Sequence, residues 1–368
     1  MLRSMYSGIS GMKANQTKLD VIANNTANVG TTAFKKSSAR FTDALYQNSI
    51  YASAPGGTAD NALVLGGVSP GQVGIGVKVS GIFKNMVQGA IQPTGRPTDL
   101  AIDGDGFFVV SMGAGKVGYT RDGSFSLDMN GNLVTAEGYK VLNKLTQVGG
   151  DGSVTEVPEG DPRYTIDTDG DGQNDATSVQ IPKDIYVVTK GDAFTPALKE
   201  GDSVIRMQDG VDADGNPQYK YQTIGGTTVT LNGGGKIEEA TRLTKVQNFN
   251  ISQDGKISYL LEDGTKAPKT DSSGQPIEGF QQLRLAAFQN PEGLEQLAGN
   301  FYGVTANSGD AIINGNFGQI KQGAIEMSNV DLSEEFTEMI VTQRSFQASS
   351  KVITTSDEIL QEIMNLKR

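Results

Sequence analysis

The stretch from residue 331 to 368, DLSEEFTEMIVTQRSFQASSKVITTSDEILQEIMNLKR, decides the fold. Its mainly apolar residues follow one another at spacings of four and three, the heptad pattern of a helix that packs along another helix. We therefore predict one long amphipathic helix. Its seam comprises Leu332, Phe336, Met339, Gln343, Phe346, Ser350, Ile353, Asp357, Leu360 and Met364, and Ile340 and Ile363 widen the apolar face.

The start and the register of this helix also have sequence signals. Asp331 followed by Glu334 has the spacing of a capping box, in which two side chains satisfy free N–H groups of the first turn. Gln343, Ser350 and Asp357 recur every seven residues inside the seam. Polar residues in such a seam weaken it but fix its register, so we expect these three to set the register.

A second seam lies at the N-terminus, where Leu2, Met5, Ile9, Met12, Gln16, Leu19 and Ala23 repeat the same spacings. This helix should end near residues 24–28. We predict that residues 1–30 and 326–368 pair as a coiled coil.

A lone helix pair leaves an apolar stripe uncovered, and we expect neighbouring chains to bury it. A two-helix hairpin buried inside one monomer is the alternative. The predicted polymerisation seam comprises Leu2, Met5, Ile9, Met12, Leu19, Leu332, Phe336, Met339, Ile340, Phe346, Ile353, Leu360 and Ile363.

The middle of the chain carries dense β-turn signals. It is rich in glycine, with 47 residues in the chain where average usage gives roughly 26. Asn130-Gly131 and Asp254-Gly255 each separate two short strand-like runs, as in a β-hairpin. Residues 75 to 325 show no long helical pattern, apart from a possible turn near 291–297. The fold class is therefore mixed α and β and multidomain, with antiparallel β structure in the centre.

Composition shifts suggest four parts along the chain. The terminal helical domain comprises residues 1–30 plus 326–368, and residues 31–75 form an extended connector. Residues 76–147 plus 281–325 form a core β domain, with one strand expected at 77–82. The most polar and loop-rich block, 148–280, is expected to form an outer β insert domain.

The composition excludes several function classes. The formal net charge is −11, so the chain should repel nucleic acid and anionic membranes. No segment is long and apolar enough for membrane insertion, and the N-terminus lacks the apolar core of a cleaved signal peptide. With neither cysteine nor histidine, the chain lacks the usual nucleophile, proton shuttle and zinc ligands. We therefore expect no enzymatic activity and no cofactor.

One acidic loop partly matches a calcium-binding loop. Asp167, Asp169, Asp171 and Asp175 occupy positions 1, 3, 5 and 9 of the calcium-loop pattern. The match fails at position 12, where Ser178 replaces the bidentate glutamate. A solvated acidic loop is the default interpretation, and a secreted calcium-binding protein is an alternative function.

Three segments of the sequence resemble one known family. The opening, MYSGISGMKANQTKLDVIANNTANVGTTAFKK, resembles the N-terminal signature of bacterial flagellar axial proteins, the rod and hook proteins. The block RPTDLAIDGDGFFVV to GYKVLN at 96–143 resembles their core β domain. The segment from FQNPEGLEQLAGNFYGVTANSGDA to the end resembles their C-terminal region.

This resemblance implies a structural subunit that polymerises into a hollow tube, with the terminal helices lining the channel. It implies export without a cleaved signal by the flagellar type III export apparatus. The location would be extracellular, in the basal body and hook of the flagellum. The implied partners are further copies of the chain, the distal rod protein, the hook cap protein and the hook–filament junction protein.

Within the family, the middle of the chain is expected to separate hook from rod. The 148–280 block and ISQDGKISYLLEDGT at 251–265 are similar to the hook-type members. A distal rod-type member is expected to lack the block and to be much shorter. The resemblance therefore favours a hook-type subunit, a flexible coupling that passes torque from the rod to the filament. A rod-type subunit is the alternative.

Overall fold

The chain divides into two compact units, each described by itself. A computed structural model describes residues 2–53, 67–113, 116–148, 154–156, 177–189, 194–195, 198, 202–211, 217–224, 228–231, 241–268, 280–313 and 318–366. The first unit comprises residues 1–87 and 328–368, and the second comprises residues 88–327. The fold is mixed, with a helix at each end and a β-rich centre. The finer four-part division stays a prediction.

The first unit contains the two long helices, α1 (Leu2–Ala27) and α2 (Leu332–Leu366). The end of α1 at Ala27 falls inside the predicted range. The start of α2 is capped by Asp331, whose Oδ1 accepts hydrogen bonds from the backbone N–H of Ser333 (2.8 Å) and of Glu334 (3.4 Å). The Glu334 carboxylate accepts a hydrogen bond from Lys36, which lies outside the helix, instead of the hydrogen bond expected in a capping box.

Four strands complete the first unit. They are β1 (Ser37–Asp43), β2 (Tyr46–Ile50), β3 (Gly71–Gly74) and β4 (Val77–Lys84). β1 pairs antiparallel with β4, and β2 pairs antiparallel with β3. The strand expected at 77–82 is confirmed as β4, and the segment predicted as a connector, residues 31–75, contributes the other three strands to these pairs.

The second unit is built from short antiparallel strands. Its strands are β5 (Ile91–Pro93), β6 (Leu100–Asp103), β7 (Phe107–Gly113), β8 (Lys116–Thr120), β9 (Ser126–Leu127), β10 (Leu133–Val134), β11 (Lys140–Val148), β12 (Val154–Glu156), β13 (Thr177–Ser178), β14 (Asp184–Val188), β15 (Phe194–Thr195), β16 (Ser203–Val211), β17 (Pro217–Thr223), β18 (Thr228–Leu231), β19 (Thr241–Ile251), β20 (Ile257–Leu261), β21 (Lys266–Ala267), β22 (Phe280–Leu283), β23 (Leu285–Ala286), β24 (Glu295–Gln296), β25 (Phe301–Gly303), β26 (Gln319–Gln322) and β27 (Ala324–Glu326). The turn expected near 291–297 is a 3₁₀ turn at Pro291–Gly293.

Two sheets organise these strands. Within the described residues, the larger has 11 strands in the order β24-β25-β8-β7-β11-β10-β9, with β12, β13 and β22 paired to β11 and β23 paired to β7. The smaller has 8 strands in the order β15-β18-β17-β16-β14-β19-β20-β21. Two further pairs, β6 with β26 and β5 with β27, bring the two ends of the unit together. Both predicted hairpins are confirmed, since β9 pairs with β10 and β19 pairs with β20.

One apolar cluster joins the two sheets. Phe108 and Phe125 are buried and meet edge to face, with ring centroids 5.2 Å apart. Tyr259 is buried from the other sheet, and its hydroxyl donates to the backbone carbonyl of Gln180 at 2.9 Å. Burial raises the pKa of the Tyr259 phenol, so it stays a neutral hydrogen-bond donor. The cluster makes the core and the insert strands one packed unit.

Replacement of Phe108 by alanine should destabilise this unit by about 3–5 kcal/mol, because it removes a fully buried ring and leaves a cavity. Urea unfolding can be followed by tyrosine fluorescence, since the chain has no tryptophan. Met129→Ala is the matched control, because Met129 is 86% exposed in the same unit. Equal midpoints for the two variants would contradict the assigned core.

Candidate assembly surface

The two terminal helices run antiparallel and approach each other closely over small residues. At one end of the pair, the hydroxyls of Ser4 and Ser356 lie 3.2 Å apart. A Cβ atom added to Gly8 would lie only 2.9 Å from Cγ1 of Ile353. Such a contact is shorter than real Cβ atoms make, so a larger side chain at Gly8 would push the helices apart. Glycine and serine therefore allow the two helices to approach closely, with Ile353 packed against Gly8.

The other end of the helix pair is held by buried polar groups. The Asn25 side chain donates to the backbone carbonyl of Ser37 (2.8 Å) and accepts from its N–H (3.0 Å). The same amide donates to Glu335 Oε2 at 3.2 Å. Asn25 is 2% exposed and Glu335 is 4% exposed. Because buried polar groups must be hydrogen-bonded, these contacts join the end of α1, the start of β1 and the first turn of α2.

Three charged or polar links surround this end. Lys18 pairs with Glu338 at 3.1 Å, and Lys36 pairs with Glu334 at 2.7 Å. The hydrogen bond that the Lys36 ammonium donates to Glu334 is the main reason that the pKa of Lys36 is raised. Since exposed ion pairs contribute little, the more informative link is Asn329, whose Oδ1 accepts from the Lys36 backbone N–H at 2.7 Å. Asn329 ties the chain just before α2 to the segment after α1.

The structure separates the predicted seam residues into two groups. Partly buried side chains comprise Met5, Met12, Leu19, Met339, Phe346, Ile353 and Leu360, and the exposed side chains comprise Ile9, Leu332, Phe336, Ile340 and Ile363. The side chain of Leu2 lies outside the described part of the chain. The role of these residues in polymerisation stays a prediction.

The predicted register residues lie on the wrong face for the chain's own helix pair. Gln343 and Asp357 are exposed and Ser350 is only partly buried. The buried side chains of α2 are Glu335, Thr342 and Ser356, which also recur at multiples of seven. Small and polar positions of α2 therefore face α1 together with the apolar Ile353, which lies against Gly8. Hydrophobicity alone does not reveal the small and polar positions, because they carry no apolar signal.

The large exposed side chains of α2 form two separate flanks. The first flank is Leu332, Phe336 and Ile340, and the second flank is Val352, Ile359 and Ile363. Phe336 is 49%, Ile340 60% and Ile363 50% exposed. At about 100° of helical rotation per residue, the two flanks lie roughly 160° apart, one on each side of the stripe that faces α1. Such surface on a soluble chain is typical of an interaction site.

A further exposed apolar surface was not predicted as a site. It lies on the β2–β3 hairpin and just beyond it, and comprises Leu45, Tyr46, Ile50, Tyr51, Val68 and Val73, all of them exposed. The sequence signal was present in the run LYQNSIY at 45–51, but it was interpreted only as part of a connector. The hairpin belongs to the same unit as the helix pair.

The described residues offer no site of another kind that matches the sequence predictions. Among the described residues, no three aspartate or glutamate side chains form a group that could hold a metal ion. The candidate calcium loop at Asp167, Asp169, Asp171 and Asp175 lies outside the described residues. No helix in the described part of the chain has the length and apolarity needed to cross a membrane.

Replacement of Glu335 by glutamine should raise the melting temperature of the helices at neutral pH. Burial raises the pKa of Glu335, while Asn25 and Lys36 oppose the shift. The folded chain then binds this proton more tightly than the unfolded chain, so stability falls as the pH rises from 4.5 through the raised pKa. Glutamine keeps an acceptor for Asn25 but carries no charge. Circular dichroism reports on α1 and α2, which span 26 and 35 residues.

The gain should vanish at about pH 4, where Glu335 is protonated in the folded and unfolded states alike. Glu358→Gln removes the same charge from an exposed position of α2 and should show no such pH-dependent gain. A melting temperature for Glu335→Gln below that of the unsubstituted chain at neutral pH would contradict the electrostatic argument.

Family models match three segments of the chain. The "Flagella basal body rod protein" model matches residues 5–35, and the "Flagellar hook protein FlgE/F/G D1 domain" model matches residues 101–189. The "Flagellar basal body rod FlgEFG protein C-terminal" model matches residues 321–366. The outer two matches contain α1 and most of α2, and the middle match lies in the β-rich unit.

Full-length relatives extend this likeness over the whole chain. The flagellar basal-body rod protein FlgG of Bacillus subtilis (strain 168) is 37% identical over 373 positions, covering 100% of both chains. The flagellar hook protein FlgE of Borreliella burgdorferi is 31% identical over 453 positions, again covering 100% of both. A crystal structure of Helicobacter pylori flagellar hook protein FlgE2 covers 64% of this chain and 100% of its own, with a TM-score of 0.32 and 12% identity.

The matched segments lie at both ends and in the centre of the chain. The resemblance predicted from the three sequence segments is thereby confirmed. Both rod and hook proteins stand among the relatives, and both are axial structural subunits of the flagellum. The chain therefore belongs to the FlgE/F/G family of flagellar rod and hook structural proteins.

Proposed function

We propose that this chain is a hook-type subunit that assembles with further copies of itself into a hollow, flexible tube and passes torque from the rod to the filament. The observation that carries this proposal is the pair of exposed apolar flanks on α2. A helix pair that places small residues between its helices and large apolar residues outside is suited to burial by neighbouring copies.

The energetics favour assembly through these flanks. Complete burial of a large apolar side chain contributes about 1.5–3 kcal/mol, and each flank offers three such side chains. A contact between the first flank of one copy and the second flank of the next joins two different surfaces. Such a contact is heterologous and not a self-complementary dimer contact. Heterologous contacts that do not close into a ring generate open helical assemblies. In this proposal α1 and α2 form an antiparallel coiled coil and line the channel.

The β-rich parts supply the outer layers in this proposal. Residues 76–147 plus 281–325 form the core β domain around the helices, and residues 148–280 form the outer insert domain. Residues 31–75 connect them to the terminal domain of 1–30 plus 326–368. The exposed hairpin of β2 and β3 supports a further contact between copies, because its apolar side chains belong to the same unit as the flanks.

The family membership supports the remaining parts of the proposal. Export would use the flagellar type III apparatus without a cleaved signal, and the assembled location would be outside the cell. The axial partners would be the distal rod protein, the hook cap protein and the hook–filament junction protein. The role is structural and not enzymatic, in a chain with neither histidine nor cysteine and with a formal net charge of −11.

A rod-type subunit is the second candidate, and alignment length favours it. The expectation that a distal rod protein would be much shorter is wrong. The alignment with the rod protein FlgG spans 373 positions at full coverage of both chains, whereas that with the hook protein FlgE spans 453. The 148–280 block therefore does not by itself distinguish hook from rod.

Electron microscopy of the purified chain added to hook fragments tests both candidates. Growth of curved, hollow tubes would support the hook-type function. Straight tubes would move the assignment to the rod, and a chain that never adds to the fragments would contradict the polymer proposal. The calcium-binding alternative has its own test, because calorimetric titration with millimolar calcium should then release or absorb heat.

Replacement of Phe336 by aspartate should abolish growth while the chain still folds. The substitution places a charge on the first flank, and burial of an unpaired charge against a neighbouring copy costs several kcal/mol per subunit. In the free chain the side chain is about half exposed, so the fold should tolerate the change. Seeded growth measured by light scattering and electron microscopy gives the result, and circular dichroism checks the fold.

Thr337→Asp is the matched control, since it adds the same charge one residue along α2 at an exposed position outside both flanks. It should assemble like the unsubstituted chain. Ile363→Asp tests the second flank in the same way. Normal tubes from both flank variants would contradict the assignment of these faces to contacts between copies.

A further inference from the structure

The helix pair meets through residues that recur every seven positions. From one end to the other, Ser4, Gly11, Lys18 and Asn25 of α1 lie opposite Ser356, Ser349, Thr342 and Glu335 of α2. The helices approach closely at three of these layers. The hydroxyls of Ser4 and Ser356 are 3.2 Å apart, a Cβ added to Gly11 would lie 3.0 Å from Ser349 Oγ, and Asn25 is 3.2 Å from Glu335.

The small-residue layers cannot specify which register the helices adopt. A slip of one heptad moves one helix by about 10.5 Å relative to the other. In one direction such a slip would place Ser4 opposite Ser349, exchanging one serine for another. It would also place Lys18 opposite Glu335, which replaces the present Lys18–Glu338 ion pair with a similar one. The competing register therefore loses little in the glycine and serine part of the pair.

The polar end of the pair distinguishes the registers by its hydrogen bonds. The polar clasp consists of Asn25, Asn329 and Glu335. Asn25 is bound at both the N–H and the carbonyl of Ser37, so its amide is held in one orientation toward Glu335. After a slip of one heptad, Asn25 would lie opposite Ser328 or Thr342. Glu335 would then lose the hydrogen bond from the Asn25 amide.

Asn329 makes the clasp a connection between three segments. Its Nδ2 donates to the backbone carbonyls of Asn85 (2.8 Å) and Val87 (3.0 Å) at the end of β4, and its Oδ1 accepts from the Lys36 N–H. Its own N–H donates to the carbonyl of Phe34 at 3.3 Å. The chain entering α2 is thus fixed, two residues before the cap, to the segment that follows α1.

We infer that the polar clasp is the positioning element that sets the axial register of α1 against α2. A single buried polar layer in a helical seam fixes register at some expense of stability, which is the effect expected here. The register in turn fixes the height of the α2 flanks relative to the β2–β3 hairpin. That consequence, though not the register itself, rests on the proposed assembly function.

Engineered disulfides can read the register directly, because the chain contains no cysteine. Ser4→Cys with Ser356→Cys reports the native register at the end of the pair farthest from the clasp. Ser4→Cys with Ser349→Cys, and Ser4→Cys with Ile363→Cys, report a slip of one heptad in either direction. Oxidation of the full-length chain, free and after addition to hook fragments, is followed on non-reducing gels.

The test substitution is Asn25→Ala combined with Asn329→Ala. It removes both clasp amides and leaves the Ser37 and Lys36 N–H groups without these partners. The native disulfide yield should fall by roughly fivefold or more, the factor that follows from losing a buried hydrogen-bonded contact, and an off-register disulfide should appear. Asn24→Ala is the matched control, because Asn24 is the exposed neighbour of Asn25 and should keep the native yield.

Glu335 provides a rescue test of the same inference. Glu335→Gln keeps an acceptor for the Asn25 amide and should keep the native disulfide, whereas Glu335→Ala should shift yield to an off-register pair. A merely structural role would lower all disulfide yields together. Only loss of register lowers one yield and raises another.

Three results would overturn the inference. They are native disulfide yield in the double alanine variant equal to that of the control, loss of all three disulfides together, and absence of the native disulfide from the chain with an intact clasp. Failure of the unsubstituted chain to grow tubes would contradict the proposed function alone, because the disulfide yields of the free chain would still report the register.

Discussion

The close approach of α1 and α2 over glycine and serine is the contact on which the rest of the first unit depends. Gly8 leaves no space for a Cβ against Ile353, and Ser4 meets Ser356 directly. Helices that approach this closely have backbone and short side chains at their contact, with Ile353 packed against Gly8. The unit has another source of order in the buried Asn25–Glu335 contact and the Asn329 links. A buried carboxylate is a weak source of stability, but its hydrogen-bond geometry selects one arrangement.

The same constraint determines where the large apolar side chains lie. Since the stripe that faces α1 is occupied by Thr342, Ser349 and Ser356, the residues Phe336, Ile340 and Ile363 must lie on the flanks. A free chain with such flanks exposes apolar surface. In the proposed assembly, neighbouring copies would cover this surface. One helix would then carry both the small and polar residues that meet α1 and the apolar residues that meet a neighbouring copy.

The sequence predicted the elements better than it predicted their faces. The helix ends near Ala27, the Asp331 cap, the hairpins at Gly131 and Gly255 and the antiparallel centre all follow from local signals, and the structure agrees. The face of α2 that meets α1 includes the predicted seam residue Ile353, but also Ser349 and Ser356, which a heptad analysis of apolar residues does not select. Close packing over small residues leaves no hydrophobic signal. The role of Asn25 was equally hidden, since it depends on Ser37 and Glu335, which are distant in sequence and meet only after folding.

The sequences of the terminal helices do not distinguish rod proteins from hook proteins, because relatives of both kinds align with them. A rod relative and a hook relative each align over the full chain. A difference in bending between a rod and a hook must arise in another part of the chain. As a tube bends, copies on opposite sides change their separation, and parts at larger radius move farthest. In the proposed tube the helix register, which the polar clasp favours, would stay fixed during that motion, and other contacts between copies would slide. On this proposal a stiff tube and a compliant tube would share one terminal design, and the difference between them would arise in residues 88–327.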